Sequence, residues 1–550
     1  MQRFTPKLVT VLREGYDAAT LRADAIAGLT VAIVALPLAM ALGIASGASP
    51  DKGLITAVVA GFLISALGGS RVQVGGPTGA FVVVIFNVIA KHGYDGLVLA
   101  TLLAGVILVI AGAARLGQLI KFIPHPVITG FTAGIAVIIA SSQVQDFLGL
   151  PLAEVPAEFF PKWAAYLGAL DRISLPTLLI GLGSLAIILV LRKAAPRLPG
   201  FLIAVVVASA AVSLLKLPVD TIGSRFPDIP AGLPWPELPA FGWAKMQAVL
   251  PSAFTIAFLA GIEALLSAVV ADGMAGTRHR SNQELIGQGV ANIGSSLFGG
   301  LPATGAIART ATNIRAGAKT PFAGMFHALF LLLFILFATD LMAYVPMAAL
   351  AAILFMVAWG MSEYERFVAL LRMSNDDRVV LLLTFGLTVL VDLTVAIGVG
   401  VTIASLLFMM RMSQSVEFEN GARSDPELDE EDQSQRDKLP DGVEVFRIQG
   451  PFFFGVAGEL LDTLRRVGRR PRVLILRMRL VPYLDASGVR TVEEFVTQAR
   501  ASGTRLILSG VQPQPANMLA RVALGPDSHE VQYAANYAKA LRLAAQAVET

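Results

Sequence analysis

Polar and apolar positions alternate along this chain in long blocks rather than short ones. Apolar runs such as 28–44, 97–114, 177–191 and 322–338 each approach the ~20 residues that a helix needs to cross a hydrocarbon core. The pattern predicts fourteen membrane segments, some short or broken, near 24–46, 54–69, 77–90, 96–113, 124–142, 175–192, 198–215, 248–271, 284–298, 303–315, 321–338, 342–359, 377–391 and 394–410. After Arg411 the pattern changes. Residues 424–437 (SDPELDEEDQSQRD) are acidic and lack aromatics, which predicts a solvated linker over 413–440. From Gly442 onward strand and helix periods alternate. VEVFRIQG, PFFFG, RVLILRM and TRLILSG read as strands, and ELLDTLRRV, VRTVEEFVTQARA, ANMLARVAL and YAKALRLAAQAV as helices, so 441–550 is expected to be a small α/β domain.

Composition supports this reading. The chain is 55% hydrophobic and 15% charged, with a mean hydropathy of +0.68. The start, 1–22, is basic and has no short apolar core, so it is expected to be a cytoplasmic segment and not a signal peptide. The chain has no cysteine, which excludes disulfides and thiolate metal sites. His125 and His327 stand alone in apolar settings, and neither a metal nor any cofactor is expected. The net charge of +3 is too small to suggest a nucleic-acid partner.

Charge placement sets an orientation. With the N-terminus inside, the cytoplasmic gaps hold Arg71, Arg115, Lys121, Arg192, Lys193, Arg197, Arg278, Arg280, Arg315, Lys319, Arg366, Arg372 and Arg378. The opposite gaps hold Asp51, Asp95, Asp146, Glu154, Glu158, Asp171, Asp220, Asp228, Glu237 and Asp340. Basic residues favour the cytoplasm, so both termini are expected there, in a multi-pass protein of the plasma (inner) membrane.

Two stretches break the helical pattern and resemble each other. SALGGSRVQVGGPTGAFVVV (65–84) and SSLFGGLPATGAIARTAT (295–312) share Ser-x-Leu, Gly-Gly, Pro and Thr-Gly-Ala, about 225 residues apart. They fall in the third and tenth segments. An offset of seven segments gives the halves opposite orientations, the mark of an inverted repeat, here about 23–216 and 248–412. Extended backbone survives inside a membrane only where protein or a cavity covers it. Pro77 and Pro302 suit the first turn of a helix, and Gly75, Gly76, Gly79 and Gly305 permit close approach of backbone or ligand. Two short helices are thus expected to start near the midplane with their N-termini facing. Each end carries roughly +0.5 of a charge and free N–H donors, which makes an anion site. Its expected residues are Gly75, Gly76, Pro77, Thr78 and Gly79 with Pro302, Ala303, Thr304 and Gly305.

The residues VAIVALPLAMALGIASGASPDKGLITA (31–57), the Gly-Gly-Pro break, IEALLSAVVADGMAG (262–276) and SNQELIGQGVANIGSSLFGGLPATGAIART (281–310) resemble the SulP anion transporters, a family with sulfate-permease, bicarbonate and prestin-like members. The C-terminal part is similar to a STAS domain. The resemblance implies a 7+7 inverted repeat, with segments 1–4 and 8–11 as a core and 5–7 and 12–14 as a gate. It further implies a homodimer, a cytoplasmic STAS domain that serves folding, trafficking or protein interaction, and anion transport rather than enzyme chemistry. Among members the chain looks close to a fumarate-type dicarboxylate symporter.

Single residues refine the expectation. Glu263 lies within the eighth segment, where an acid is a functional candidate by default, and Ser267 shares its helix face. The resemblance implies a coupling-ion role for this pair. Sodium-coupled members have Asp and Thr where this chain has Glu263 and Ser267, which favours a proton. Arg309 is expected about 10 Å along the helix that Pro302 starts, beside the anion. The competing reading makes Arg309 a surface cation near Arg315, and makes Glu263 its structural partner. Leu38 and Leu42 stand where the family often has Gln and a bulky aromatic, so the pocket wall is more apolar and suits an organic anion. Asp272 is expected to form a structural ion pair or cap near Arg278, and Asp392 to mark a turn. In DASGV (485–489), Ala486 stands where antagonist proteins of the STAS type carry a phosphorylated serine, and Ser487 is expected to cap the next helix. The chain has no GxxxxGK[ST] motif, so transport is expected to run on ion gradients. Alternatives are sodium-coupled bicarbonate or sulfate transport and, in another class, an anion channel or voltage-sensitive motor, although no segment carries a row of charges.

Overall fold

The computed structural model describes residues 4–118, 124–152, 155–156, 158–196, 198–227, 229–230, 232–391, 393–414, 416–420, 439–453 and 471–549. The chain divides into two compact units, 1–402 and 403–550. Three sequence expectations lie outside the described residues: the acidic linker 424–437, the helix ELLDTLRRV and the turn at Asp392.

The first unit opens with α1 (Lys7–Glu14), α2 (Ala18–Ala45), α3 (Pro50–Leu67), the two-residue β1 (Gly75–Gly76), α4 (Gly79–Ala113), α5 (His125–Leu148), α6 (Phe159–Leu167), α7 (Leu175–Ala194), α8 (Gly200–Leu215) and α9 (Ile222–Arg225). It continues with α10 (Trp243–Ala275), α11 (Ser281–Leu297), β2 (Thr304–Gly305), α12 (Ile307–Arg315), α13 (Phe322–Phe337), α14 (Met347–Met361), α15 (Tyr364–Leu371), α16 (Asn375–Leu390) and the start of α17 (Leu393–Gln414). Each of the fourteen expected segments falls on a helix. Two of them share α4, which is interrupted at Gly93 (φ 71°, ψ 176°), a conformation that glycine adopts without a Cβ clash.

The packing partners repeat between the halves. The first helix of the first half, α2, packs on α13, and the first helix of the second half, α10, packs on α4. The helices α5, α7, α14 and α16 pack mainly among themselves. Small residues let the central helices cross closely. A Cβ on Gly105 would lie 2.6 Å from the Gly289 carbonyl oxygen, and one on Gly289 equally close to that of Gly105, so α4 and α11 meet at backbone contact. Outward faces carry exposed Leu179, Leu182 and Val190 on α7 and Leu406 and Phe408 on α17. Apolar side chains are what a lipid-facing helix needs, because its backbone polar groups are satisfied internally.

The second unit holds β3 (Glu417–Asn420), β4 (Val443–Gln449), β5 (Val473–Leu480), α18 (Ala486–Ala501), β6 (Arg505–Ser509), α19 (Pro513–Ala520), β7 (Gln532–Ala534) and α20 (Tyr537–Glu549). The sheet order is β3-β4-β5-β6-β7, with β3 antiparallel to β4 and the remaining pairs parallel. Val445, Ile475 and Ile507 face α20 on one side, while Phe446, Leu476 and Leu508 join Val492 and Phe495 of α18 on the other. Of PFFFG, the described residues 451–453 form an isolated bridge, Phe452 to Leu484, and one expectation changes in this unit. Asp485, not Ser487, is the N-cap of α18: its carboxylate accepts the Gly488 N–H at 2.7 Å, and Ser487 sits inside the first turn.

Candidate functional site

The two broken segments meet. β1 and β2 pair antiparallel, Gly75 with Gly305 and Gly76 with Thr304. This is extended backbone in the middle of a helical membrane unit, and each strand satisfies the other. The chain then enters α4 at Gly79 and α12 at Ile307. Two positions require glycine. Gly76 has φ 151°, and a Cβ there would strike the Arg309 guanidinium. A Cβ on Gly305 would occupy the place of the Gln73 amide.

The starts of the two helices differ from the sequence expectation. Pro77 precedes the N-cap Thr78 of α4, and Pro302 lies five residues before α12. Pro77 follows β1 and Pro302 precedes β2, so neither proline forms the first turn of its helix. Arg309 moves accordingly: it is the third residue of α12, in the first turn, not about 10 Å along it. Its side chain is 3% exposed, which removes the surface-cation reading. Nη2 donates to the Pro77 carbonyl at 3.1 Å, whereas Nε and Nη1 have no hydrogen-bond partner. A buried guanidinium carries five donors, and leaving them unmade is costly. Those idle donors sit where the first-turn N–H groups of α4 and α12 also lack partners in their own helices. Three sources of positive potential thus converge, as an anion site needs.

Glu263 on α10 faces the same place. Its Oε2 accepts the Thr78 hydroxyl at 2.9 Å. No ion pair joins Glu263 to Arg309 among the described residues, so the two do not neutralise each other as structural partners. Ser267 turns elsewhere: its hydroxyl lies 3.3 Å from that of Thr310, which in turn accepts the Val74 N–H at 3.1 Å. Ser267 thus braces α12 against β1. Thr304 donates to the Ala260 carbonyl at 2.8 Å, which ties β2 to α10. Leu42 is buried in the apolar core, and Leu38 packs at its edge.

Residues that the sequence reading passed over hold the breaks in place. Glu284, Gln288 and Asn292 recur every fourth residue on α11. Glu284 accepts from the N–H groups of Gly69 and Ser70 at 2.7 and 3.0 Å, and from Gln288 at 2.9 Å. Asn292 accepts the Ala303 N–H and donates to the Ala303 carbonyl, both at 2.9 Å. Thr56 accepts the Leu301 N–H at 2.7 Å. Gln73 donates to the Ala264 carbonyl at 3.2 Å, next to Glu263. The polar stripe of period four in SNQELIGQGVAN was the signal available. Outside the site, Asp272 pairs with His279 (2.7 Å to Nδ1) and accepts from Thr277, so its partner is His279 and not Arg278. His125 reaches Thr129 at 3.2 Å, and His327 is fully buried.

The comparisons agree with this geometry. Residues 21–384 match the model of the sulfate permease family, and residues 436–532 match that of the STAS domain. The chain is 41% identical over 514 residues to a putative sulfate transporter, YvdB, of Bacillus subtilis, covering 93% of this chain and 95% of that one. It is 32% identical over 527 residues to the bicarbonate transporter BicA of Picosynechococcus, covering 92% and 91%. Among solved structures, the transmembrane domain of a cyanobacterial bicarbonate transporter BicA aligns with TM-score 0.63 at 32% identity, over 71% of this chain and 98% of that one. The murine anion transporter Slc26a9 aligns with TM-score 0.85 at 18% identity, over 98% and 94%, which shows the shared fold. With paired broken segments in opposed halves, a buried arginine between their helix starts and a matching model over most of its length, the chain belongs to the sulfate permease family, a family of membrane transporters and not of enzymes, and carries a C-terminal STAS domain.

Proposed function

We propose that the protein is a secondary active transporter of a small anion, working by alternating access in the plasma membrane as a homodimer with both termini in the cytoplasm. The observation that carries this reading is the buried Arg309, with two idle donor atoms beside the starts of α4 and α12. An anion that lies between Gly76–Gly79 and Thr304–Arg309 would accept those donors and both helix ends. In this reading residues 23–412 form the transporter, and residues 441–550 a cytoplasmic module for folding, trafficking or a protein partner.

The finer proposal is proton symport through Glu263. A carboxylate held by one hydroxyl inside the membrane is costly when ionised. Protonation beside the substrate removes that cost and lets a negatively charged cargo move with less net charge. The Ser267 hydroxyl pairs with that of Thr310 and not with Glu263, and Glu263 and Ser267 stand where sodium-coupled members have Asp and Thr, which favours a proton. The dicarboxylate reading has only Leu38 and Leu42 behind it. The names of the relatives favour sulfate or bicarbonate as the second reading.

The test is uptake of labelled fumarate, sulfate and bicarbonate into proteoliposomes under an imposed proton or sodium gradient. Proton-driven accumulation of one anion that Glu263→Gln abolishes, with exchange retained, supports proton symport. Accumulation driven by sodium alone, or full proton drive in Glu263→Gln, removes Glu263 as the coupling site. Retention of wild-type transport in Arg309→Gln removes the anion site.

A further inference from the structure

A cavity of about 990 Å³ lies between the two subdomains of the first unit, and nothing so far assigns it a role. One wall is α2 and α12 of the core. The other is α7, α8 and α14 of the gate. Along α12 the lining residues are Ala308, Ala311, Thr312 and Arg315, one helix face at the three- and four-residue spacing. That face starts at the residue before Arg309 and ends at the last residue of the helix. Arg192, near the end of α7, lines the cavity from the gate side.

The polar chemistry of this cavity has one sign. No acidic residue lines it among the described residues. The Thr30 and Thr312 hydroxyls donate back to the carbonyls of Ile26 and Ala308 in their own helices. Among the described residues neither Arg192 nor Arg315 has an ion-pair or hydrogen-bond partner. Two unpaired guanidinium groups therefore share a cleft whose other walls are apolar. Low-dielectric walls focus such a field and raise the local concentration of counter-ions by ten to a thousandfold. Arg315 also sits at the C-terminus of α12, where a cation complements the carbonyl end of the helix.

We propose that Arg192 and Arg315 form a cytoplasmic anion-capture site, one guanidinium from the gate and one from the core, which concentrates the transported anion at the foot of α12 on its way to or from Arg309. The proposal rests on the transporter reading above and adds a second binding step on one side of the membrane. Because the two arginines belong to parts that move against each other, the pair is assembled only while the cleft between core and gate is open to the cytoplasm. The anion is held there by charge alone, so capture is salt-sensitive and tolerant of anion shape.

The lack of cysteine makes this testable without a transport assay. Ala311→Cys places one thiol in the cavity wall of the full-length protein in proteoliposomes. Its reaction rates with a sulfonate-bearing and a trimethylammonium-bearing methanethiosulfonate, each scaled to a free thiol, report the local potential. The expected result is a preference of about tenfold for the anionic reagent, from the cytoplasmic face only, that weakens in high salt and on addition of sulfate. The preference falls close to unity when R192Q and R315Q are added, and persists with R192K and R315K. Equal reactivity toward both reagents, a preference that survives loss of both arginines, or reaction from the opposite face overturns the proposal. If wild type carries none of the three anions yet the preference stands, the transporter reading fails and the capture site remains. If transport stands without the preference, the reverse holds.

Discussion

Arg309 shows how far single residues decide this site. Its place in the first turn of α12 puts a buried guanidinium against Pro77 and the Gly76 backbone. Gly76→Ala tests that contact. A Cβ at φ 151° is strained by ~1–3 kcal/mol, and here it also strikes the Arg309 head, so the arginine must leave its position. The expected outcome is a KM for the transported anion at least ~10-fold higher with unchanged elution on size exclusion, whereas Gly386→Ala, with open space at its Cβ, leaves KM unchanged. Arg309→Lys gives a second expectation. A compact ammonium cannot span Pro77 and the substrate as the planar fork does, so kcat/KM in proteoliposome uptake falls at least ~10-fold. The sequence showed that an arginine stands in the broken segment. It did not show where the helix begins, because Pro302 and Ile307 are both acceptable helix starts. Pairing of β2 with β1, a contact between residues far apart in the chain, decides for Ile307.

At the level of elements, the lesson is that the broken segments are held from outside themselves. Glu284 and Asn292 on α11 hold the backbone just before β1 and β2 respectively, and Thr56 on α3 holds Leu301. Both breaks were legible from their Gly-Pro content and their repetition. The clamps were not, since polar residues inside an apolar helix announce that they need partners without naming them. Asn292→Leu removes both bonds to Ala303 and leaves a buried N–H and C=O unmet. At ~1–3 kcal/mol for each unsatisfied group, the detergent-solubilised protein is expected to melt several degrees lower. A melting temperature unchanged in Asn292→Leu would show that the clamp is dispensable. In the STAS domain the same kind of misreading involved a cap. Asp485 and Ser487 both suit an N-cap, and Asp485 wins because the Leu484–Phe452 bridge fixes the entry two residues earlier than Ser487 requires. Asp485→Ala is therefore expected to weaken the first turn of α18 by ~0.5–2 kcal/mol, read as faster amide exchange at Gly488 and Val489, whereas Ser487→Ala leaves those rates unchanged.

Over the whole molecule, two periodicities carried the architecture: long apolar blocks, and the seven-segment offset between matching breaks. The offset demands that corresponding helices run in opposite directions, and the exchange of partners between α2–α13 and α10–α4 satisfies that demand. The β3 and β7 strands escaped because each has only three or four residues and is defined by its neighbour in the sheet. Orientation across the membrane is the global property on which sidedness depends. Basic residues in alternate gaps place Arg372 inside and Asp171 outside, and both side chains are exposed. In the cysteine-free chain, Asp171→Cys is expected to react with a membrane-impermeant maleimide in intact cells, and Arg372→Cys only after the membrane is opened. The reversed pattern would overturn the charge argument and would also turn the Arg192–Arg315 cleft toward the outside. It would leave the anion site untouched, because β1, β2 and Arg309 lie between two halves that exchange roles when the molecule is inverted.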